Sequence, residues 1–219
     1  MKKIIFCALY LLGVLTINGQ NKTEMEKVSY SLGVNVAKSV KAQGLETIDS
    51  QAIAKAFADV FEGKELEISE EEANLILQEY FTKLNNKAQE ANVAAGKQFL
   101  ESNAKKDGVV TTASGLQYEV ITKGDGAMPK ETDQVTVHYH GTLIDGTVFD
   151  SSVDRGQPAT FPVNGVIKGW VEALQLMNVG SKYKLFIPSD LAYGERGAGG
   201  AIGPNATLIF EVELISIGG

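Results

Sequence analysis

At 219 residues, with 44% hydrophobic and 21% charged side chains, the chain has an ordinary globular composition and enough apolar content for one large or two modest domains. Its 20 basic and 27 acidic residues give a formal charge of −7. An acidic chain without a basic stripe argues against nucleic acid and anionic membrane as partners.

The chain opens MKKIIFCALYLLGVLTINGQ: two lysines, an apolar run from Ile4 to Ile17, then small and polar residues. This is the layout of a secretory signal peptide. The apolar run is short for a spanning helix, which needs about 20 residues. An uncleaved membrane anchor is the alternative. A cut after Gly19 fits, although Ile17 at the −3 position is larger than usual. Cleavage removes Lys2 and Lys3, leaving 18 basic against 27 acidic residues, a charge of −9. It also removes Cys7, the only cysteine, so the mature chain has no thiol for a disulfide, a nucleophile or a metal ligand. The expected destination is outside the cytoplasm: the periplasm of a bacterium first, secretion or outer-membrane association as alternatives. No membrane contact is expected once the signal is gone.

From residue 21 to 108 the apolar residues recur every three or four positions, which is helical spacing. Thr23 and Glu26 form a capping-box pattern ahead of Met25, Val28, Leu32, Val36 and Val40, with a stop near Gly44. A second helix starts after Asp49, carries Ile53, Phe57, Val60 and Phe61, and ends at Gly63. Ser69 and Glu72 open a third, whose stripe runs Ala73, Leu77, Phe81, Leu84, Ala88, Ala91, Ala95, Phe99. Carried to Lys106 it would span about 57 Å at 1.5 Å per residue. Two short helices of the same chain cannot cover such a stripe, so a second copy of the chain is its natural cover. A marginal single helix with a mobile end is the alternative. The small residues Ala88, Ala91 and Ala95 mark the C-terminal half as the more solvated connector.

After Asp107 and Gly108 the pattern changes to alternation. Strands are predicted near residues 116–122, 134–143, 182–187 and 207–215, with one short helix at about 168–177. Four to six antiparallel strands with one helix make the fold class α+β. Alternation sends Val137 and Tyr139 to one face of their strand and Thr136, His138 and His140 to the other. It likewise turns Leu208, Phe210 and Val212 inward and Glu211 and Glu213 outward.

Four short patches stand in register within this half: VHYHG (Val137 to Gly141), VFDSS (Val148 to Ser152), GVIKGW (Gly165 to Trp170) and IPSDLAYG (Ile187 to Gly194). The strand ATLIFEVELI (Ala206 to Ile215) closes the set. In this order and spacing they resemble the FKBP family of peptidyl-prolyl cis-trans isomerases. The match covers about 100 residues, too many in register for chance. The motif SYSLG (Ser29 to Gly33) and the long third helix resemble the N-terminal domain of the family's Mip-like and FkpA-like branch, a weaker match. With the signal peptide read at 1–19, the resemblance implies a helical dimerisation domain with connecting helix at 20–108 and an isomerase domain at 109–219. It further implies a sheet curled around the short helix, and homodimers entwined through the helical domains.

It also implies a pocket. Tyr139, Phe149, Val166, Ile167, Tyr193 and Phe210 would form its wall and Trp170 its floor, with Phe161 and Ile202 as further substrate contacts. Asp150 would face the carbonyl before the proline, held by Tyr139 and Arg155; an Asp that merely caps the turn at Ser151 and Ser152 is the alternative. The Tyr193 hydroxyl and the Ile167 N–H would orient the peptide. Three positions depart from the commoner bulky residues: Ala159, Ala198 and Ala201. They imply a more open rim, an altered preference before proline and weaker binding of macrolide inhibitors. The implied substrates are proline-containing unfolded or partly folded polypeptides, and the reaction needs neither metal nor cofactor.

Other chemistries fit less well. In GERGAGGAIG, Ile202 occupies the third glycine of GxGxxG and no Lys-Ser/Thr follows, which argues against a phosphate loop. His138 and His140 are same-face neighbours, but the only two histidines cannot close a metal site without carboxylates from elsewhere. Ser151 and Ser152 have no histidine placed by motif to activate them. The serious competitor is a dimeric holdase chaperone with incidental isomerase activity, although a pure holdase has no use for the pocket.

Overall fold

The computed structural model describes residues 23–218. The expected signal segment, its cut after Gly19 and Cys7 lie outside the described residues. The described chain divides into two compact units, one reaching Lys41 and one from Ala42 onward.

In the first unit, α1 (Glu24–Ala42) begins where the sequence places it. The Thr23 hydroxyl accepts the Glu26 N–H at 3.2 Å while the Glu26 carboxylate takes the Thr23 N–H at 2.6 Å, a reciprocal capping box. No residue of this helix is buried. Met25 is 70% exposed, and Val28, Leu32 and Val36 on its apolar face are also exposed.

In the second unit, α2 (Ser50–Phe61) starts at Asp49, whose carboxylate accepts the N–H groups of Gln51 and Ala52. It stops at Gly63, whose φ of 66° lies in the left-handed region that side chains disfavour. The Ser69 hydroxyl caps α3 (Glu70–Asn103), and Glu70, Glu71 and Glu72 complement the helix dipole in its first turn. Its 34 residues run about 51 Å at 1.5 Å per residue.

Seven antiparallel strands follow: β1 (Val109–Thr111), β2 (Gln117–Thr122), β3 (Gln134–Leu143), β4 (Val148–Ser151), β5 (Ala159–Pro162), β6 (Lys182–Ile187) and β7 (Leu208–Ile217). Their order is β1-β2-β6-β7-β3-β4, with β5 also paired to β3. The three that sequence reasoning did not delineate, β1, β4 and β5, have only three or four residues each. One helix, α4 (Lys168–Leu174), buries Trp170, Ala173 and Leu174. It packs closely because Gly169 has no side chain: a Cβ there would lie 2.5 Å from Ile187. Val135, Val137, Leu174, Leu185, Leu208, Val212 and Leu214 have no exposed surface and form the core between helix and sheet. The predicted alternation holds along β3 and β7, with Val137, Tyr139, Leu208, Phe210 and Val212 buried and the His and Glu residues between them more exposed.

The C-terminal half of α3 is not the solvated connector expected from its alanines. Gly96 is buried so closely against Thr207 that a Cβ there would lie 2.4 Å from its hydroxyl. Phe99 meets the Phe186 ring at 5.9 Å. The buried Asn103 donates to the Gln117 side chain, which in turn donates to the Leu100 carbonyl. Gly96 therefore permits close approach of this stretch to the strand-rich half, while Ala91 stays exposed.

Candidate functional site

Five aromatic side chains from five elements meet at one cavity. Alternation on β3 turns Tyr139 inward, β7 does the same for Phe210, β4 supplies Phe149, β5 Phe161, and α4 raises Trp170 between them. The Trp170 ring stands edge-to-face with Tyr139 (5.5 Å, 83°), Phe161 (6.1 Å, 89°) and Phe210 (5.2 Å, 80°). Phe149 meets Phe210 edge-on at 5.3 Å. Edge-to-face pairs of this kind each stabilise by about 0.5–1.5 kcal/mol beyond burial, so the walls are held by each other. The cavity they enclose measures about 560 Å³. Val166, Ile167 and Tyr193 complete one side, and Ala198, Gly199, Ala201 and Ile202 complete the other.

All of the residues expected in the pocket line it except Arg155, which reaches it through Asp150, and Ala159, expected at the rim, which packs against the core instead. The Tyr139 hydroxyl donates to one Asp150 carboxylate oxygen at 2.5 Å, and the Arg155 guanidinium bonds both the other oxygen and, at 2.8 Å, the Tyr139 hydroxyl. The same guanidinium lies 5.5 Å from the centre of the Tyr139 ring. Burial pushes the Asp150 carboxyl upward, but the Tyr139 hydroxyl and the Arg155 charge outweigh it and hold the group below its ordinary value of 3.8. Burial, with the Asp150 carboxylate beside it, pushes the Tyr139 phenol up. Asp150 is therefore a fixed carboxylate and Tyr139 a fixed hydroxyl near neutral pH. Neither is tuned for proton exchange.

The Asp150 carboxylate also takes a backbone hydrogen bond from Ser151. The Ser151 hydroxyl accepts the Asp154 N–H at 3.1 Å, and this turn brings Arg155 back to the carboxylate. The fully buried Ser152 hydroxyl accepts the Tyr139 N–H at 2.8 Å and meets His138 Nδ1 at 3.1 Å, while Ser151 meets His140 Nδ1 at 3.0 Å. The two histidines thus tie β3 to the start of that turn. Among the described residues no group of three or more His, Cys, Asp or Glu is placed to hold a metal.

Two polar groups at the pocket have no protein partner among the described residues. The Ile167 N–H, at the N-cap of α4, donates to no acceptor, although its carbonyl accepts from Trp170 and Val171. The buried Trp170 indole N–H is likewise unpaired. Sequence reasoning missed Gly141, on which the pocket depends: a Cβ there would lie 2.7 Å from the Phe149 ring and 2.8 Å from Phe210. Its signal is a lone glycine inside a strand, which marks close approach by another group.

Residues 126–215 match the family described as FKBP-type peptidyl-prolyl cis-trans isomerase, and residues 25–120 match the domain amino terminal to it. A relative from Escherichia coli strain K12, the FKBP-type 22 kDa peptidyl-prolyl cis-trans isomerase, is 51% identical over 194 residues, 87% of this chain and 94% of that protein. The outer membrane protein MIP of Legionella longbeachae is 48% identical over 202 residues, 89% of this chain and 86% of that protein. Among solved structures, the crystal structure of FkpA from Escherichia coli superposes with a TM-score of 0.65 at 38% identity, covering 90% of this chain and 98% of that one.

Proposed function

The chain belongs to the FKBP-type peptidyl-prolyl cis-trans isomerases, and from that premise we propose that it accelerates X-Pro rotation in exported polypeptides, noncovalently, inside the aromatic pocket. The observation that carries this reading is the box of three rings around Trp170 with one fixed carboxylate at its edge. Rotation about the bond meets a barrier of about 18–20 kcal/mol because it breaks amide resonance. The twisted amide has lost its charge separation and is less polar than the planar one. An apolar slot therefore raises the planar ground state more than the transition state, which is differential binding in the required direction. A thousandfold to hundred-thousandfold gain needs about 4–7 kcal/mol.

In this mechanism the prolyl ring lies on Trp170 between Tyr139, Phe161 and Phe210, and Phe149 and Val166 close the sides. Asp150, held by Tyr139 and Arg155, faces the carbonyl before the proline and disfavours its planar, charge-separated form. The Ile167 N–H and the Tyr193 hydroxyl donate to substrate carbonyls and orient the chain, and Ile202 covers the entrance. Ala198 and Ala201 leave the rim open, which alters the preference for the residue before proline and weakens macrolide binding. No covalent bond changes, so neither cofactor nor metal is required.

Residues 20–108 serve as the helical dimerisation domain and 109–219 as the isomerase domain. A homodimer is supported by the apolar residues left exposed on the helices, among them Leu75, Leu77 and Tyr80 on α3 and Phe61, 81% exposed, at the end of α2. The same residues favour a second reading, a dimeric holdase that binds unfolded chains on its helices. Export by the N-terminal segment places the enzyme in a periplasm, or beyond it at the outer membrane. Among the described residues no helix is long and apolar enough to cross a membrane.

The test is isomerisation of an X-Pro tetrapeptide by the chain from residue 20 onward, beside Asp150→Ala and Tyr193→Phe. Acceleration that falls in both folded variants supports the pocket mechanism. A folded, inactive wild type that still suppresses aggregation puts the holdase first.

A further inference from the structure

The pocket's outer rim is a single loop, residues 194–206, that closes on itself. The Asn205 N–H donates to the Gly194 carbonyl at 2.8 Å, and Ala198 and Ile202 exchange N–H to carbonyl bonds at 2.8 and 3.0 Å. Asn205 holds a φ of 55°, the only positive value at a non-glycine among the described residues. The inner side of this flap meets the pocket through Ala198, Gly199, Ala201 and Ile202. Its outer side bounds a second cavity of about 690 Å³, whose far wall is α3 at Phe81, Leu84 and Ala88.

One bond crosses from that helix to the flap. Asn92, half-buried on α3, donates its Nδ2 to the Pro204 carbonyl at 2.8 Å, across 112 residues of sequence. One turn further along α3, Gly96 admits Thr207, the residue that follows the flap, into closer contact than any side chain would allow. The stretch between these two points carries the strained Asn205. The flap is therefore anchored at its C-terminal end by the long helix, and at its N-terminal end by bonds within itself, from Asn205 and Gly197 to the Gly194 carbonyl.

We propose that Asn92 is a positioning residue for substrate binding: by holding the Pro204 carbonyl it fixes the flap over the pocket, so that α3 sets the height of the rim. The proposal rests on the isomerase reading and deepens it. The flap supplies wall area but none of the Asp150, Tyr139 and Arg155 network. Its release therefore weakens binding of the substrate and leaves turnover of the bound substrate intact.

The test uses the full mature chain with Asn92→Asp, which keeps the shape and loses the donor, and Asn92→Gln, which keeps a donor on a longer arm. Backbone amide exchange is read over residues 194–206, and KM and kcat are read on an X-Pro tetrapeptide. Asn92→Asp is expected to speed exchange in the flap and raise KM about three- to tenfold, the worth of one hydrogen bond, with kcat unchanged and Asn92→Gln restoring both readouts at least in part. Gly203→Ala strains the same link from the other side, since its Cβ would lie 3.1 Å from Asn92 Nδ2. It should raise KM in the same direction, by less, even if Asn92→Asp folds poorly, because the amide end has to give by only a few tenths of an ångström. Unchanged flap exchange, an unchanged KM, a loss confined to kcat, or a glutamine variant no better than the aspartate would each overturn the proposal. If the wild type itself proves inactive the isomerase reading fails, while the exchange measurement still decides whether Asn92 holds the flap.

Discussion

Substituting Gly141→Ala adds one methyl group behind the pocket, and its consequences follow from the distances. The new Cβ would stand 2.7 Å from two atoms of the Phe149 ring and 2.8 Å from one atom of Phe210. Carbon atoms settle at about 3.5–4.0 Å, so both rings must retreat by about 1 Å. The backbone offers no resistance, because Gly141 is not among the glycines with positive φ. Overpacking of this kind costs about 1–3 kcal/mol, and stiffening the unfolded chain returns about 0.4–1 kcal/mol. The net loss of about 1–2 kcal/mol lowers Tm by several degrees, at about 2–4 °C per kcal/mol for a chain of this size, and leaves the protein folded. Activity should suffer far more, since a 1 Å misplacement in a site can cost about a hundredfold. The assay is kcat/KM on an X-Pro tetrapeptide beside a thermal melt. A variant with a lowered Tm and undiminished kcat/KM would refute the claim that these two rings shape the reacting pocket.

Asp150→Asn removes the charge that pairs with Arg155; because both side chains are nearly half exposed, Tm should barely move, while kcat/KM falls about ten- to a hundredfold, the range for a hydrogen bond to a charged group. In the wild type this carboxyl titrates below 3.8, so its contribution to stability is present above that value and is lost as pH falls through the lower folded value. Activity should accordingly stay flat through mild acid, measured as kcat/KM against pH, and a decline already near pH 5 would contradict the assignment. Gly96→Ala should destabilise through its clash with the Thr207 hydroxyl, and Thr207→Ala should relieve it, because the next nearest atom lies 3.5 Å away. A double-mutant cycle read by denaturant unfolding should show that coupling, and simple additivity would mean the helix does not seat there. Sedimentation of the mature chain at micromolar concentration should give twice the chain mass, falling to a monomer with Leu77→Glu and Tyr80→Glu.

Much of this was legible in the sequence because the signals were local. Capping pairs at Thr23, Asp49 and Ser69 marked the helix starts within a residue of where they occur. Period-two alternation placed Tyr139 and Phe210 on the buried faces of β3 and β7. The motifs brought Asp150, Phe149, Trp170 and Tyr193 to one cavity. What escaped depended on contacts distant in sequence. The strands β1, β4 and β5 are too short for a period to show, and they exist because β2 and β3 offer them partners. The alanines of α3 looked like a solvated connector, since a helix pattern does not say which neighbour a smooth surface serves. The second-layer pairs of His138 with Ser152 and His140 with Ser151 arise from a turn that folds back across β3.

Rotation in an apolar pocket transfers no proton. The most direct measurement compares kcat/KM for one X-Pro tetrapeptide in H2O and D2O, with the wild-type mature chain at a pH well above the Asp150 titration. Strong acceleration at the same rate in both solvents is the predicted result. A marked slowing in D2O would mean that a side chain moves a proton in the rate-limiting step, and would contradict the account.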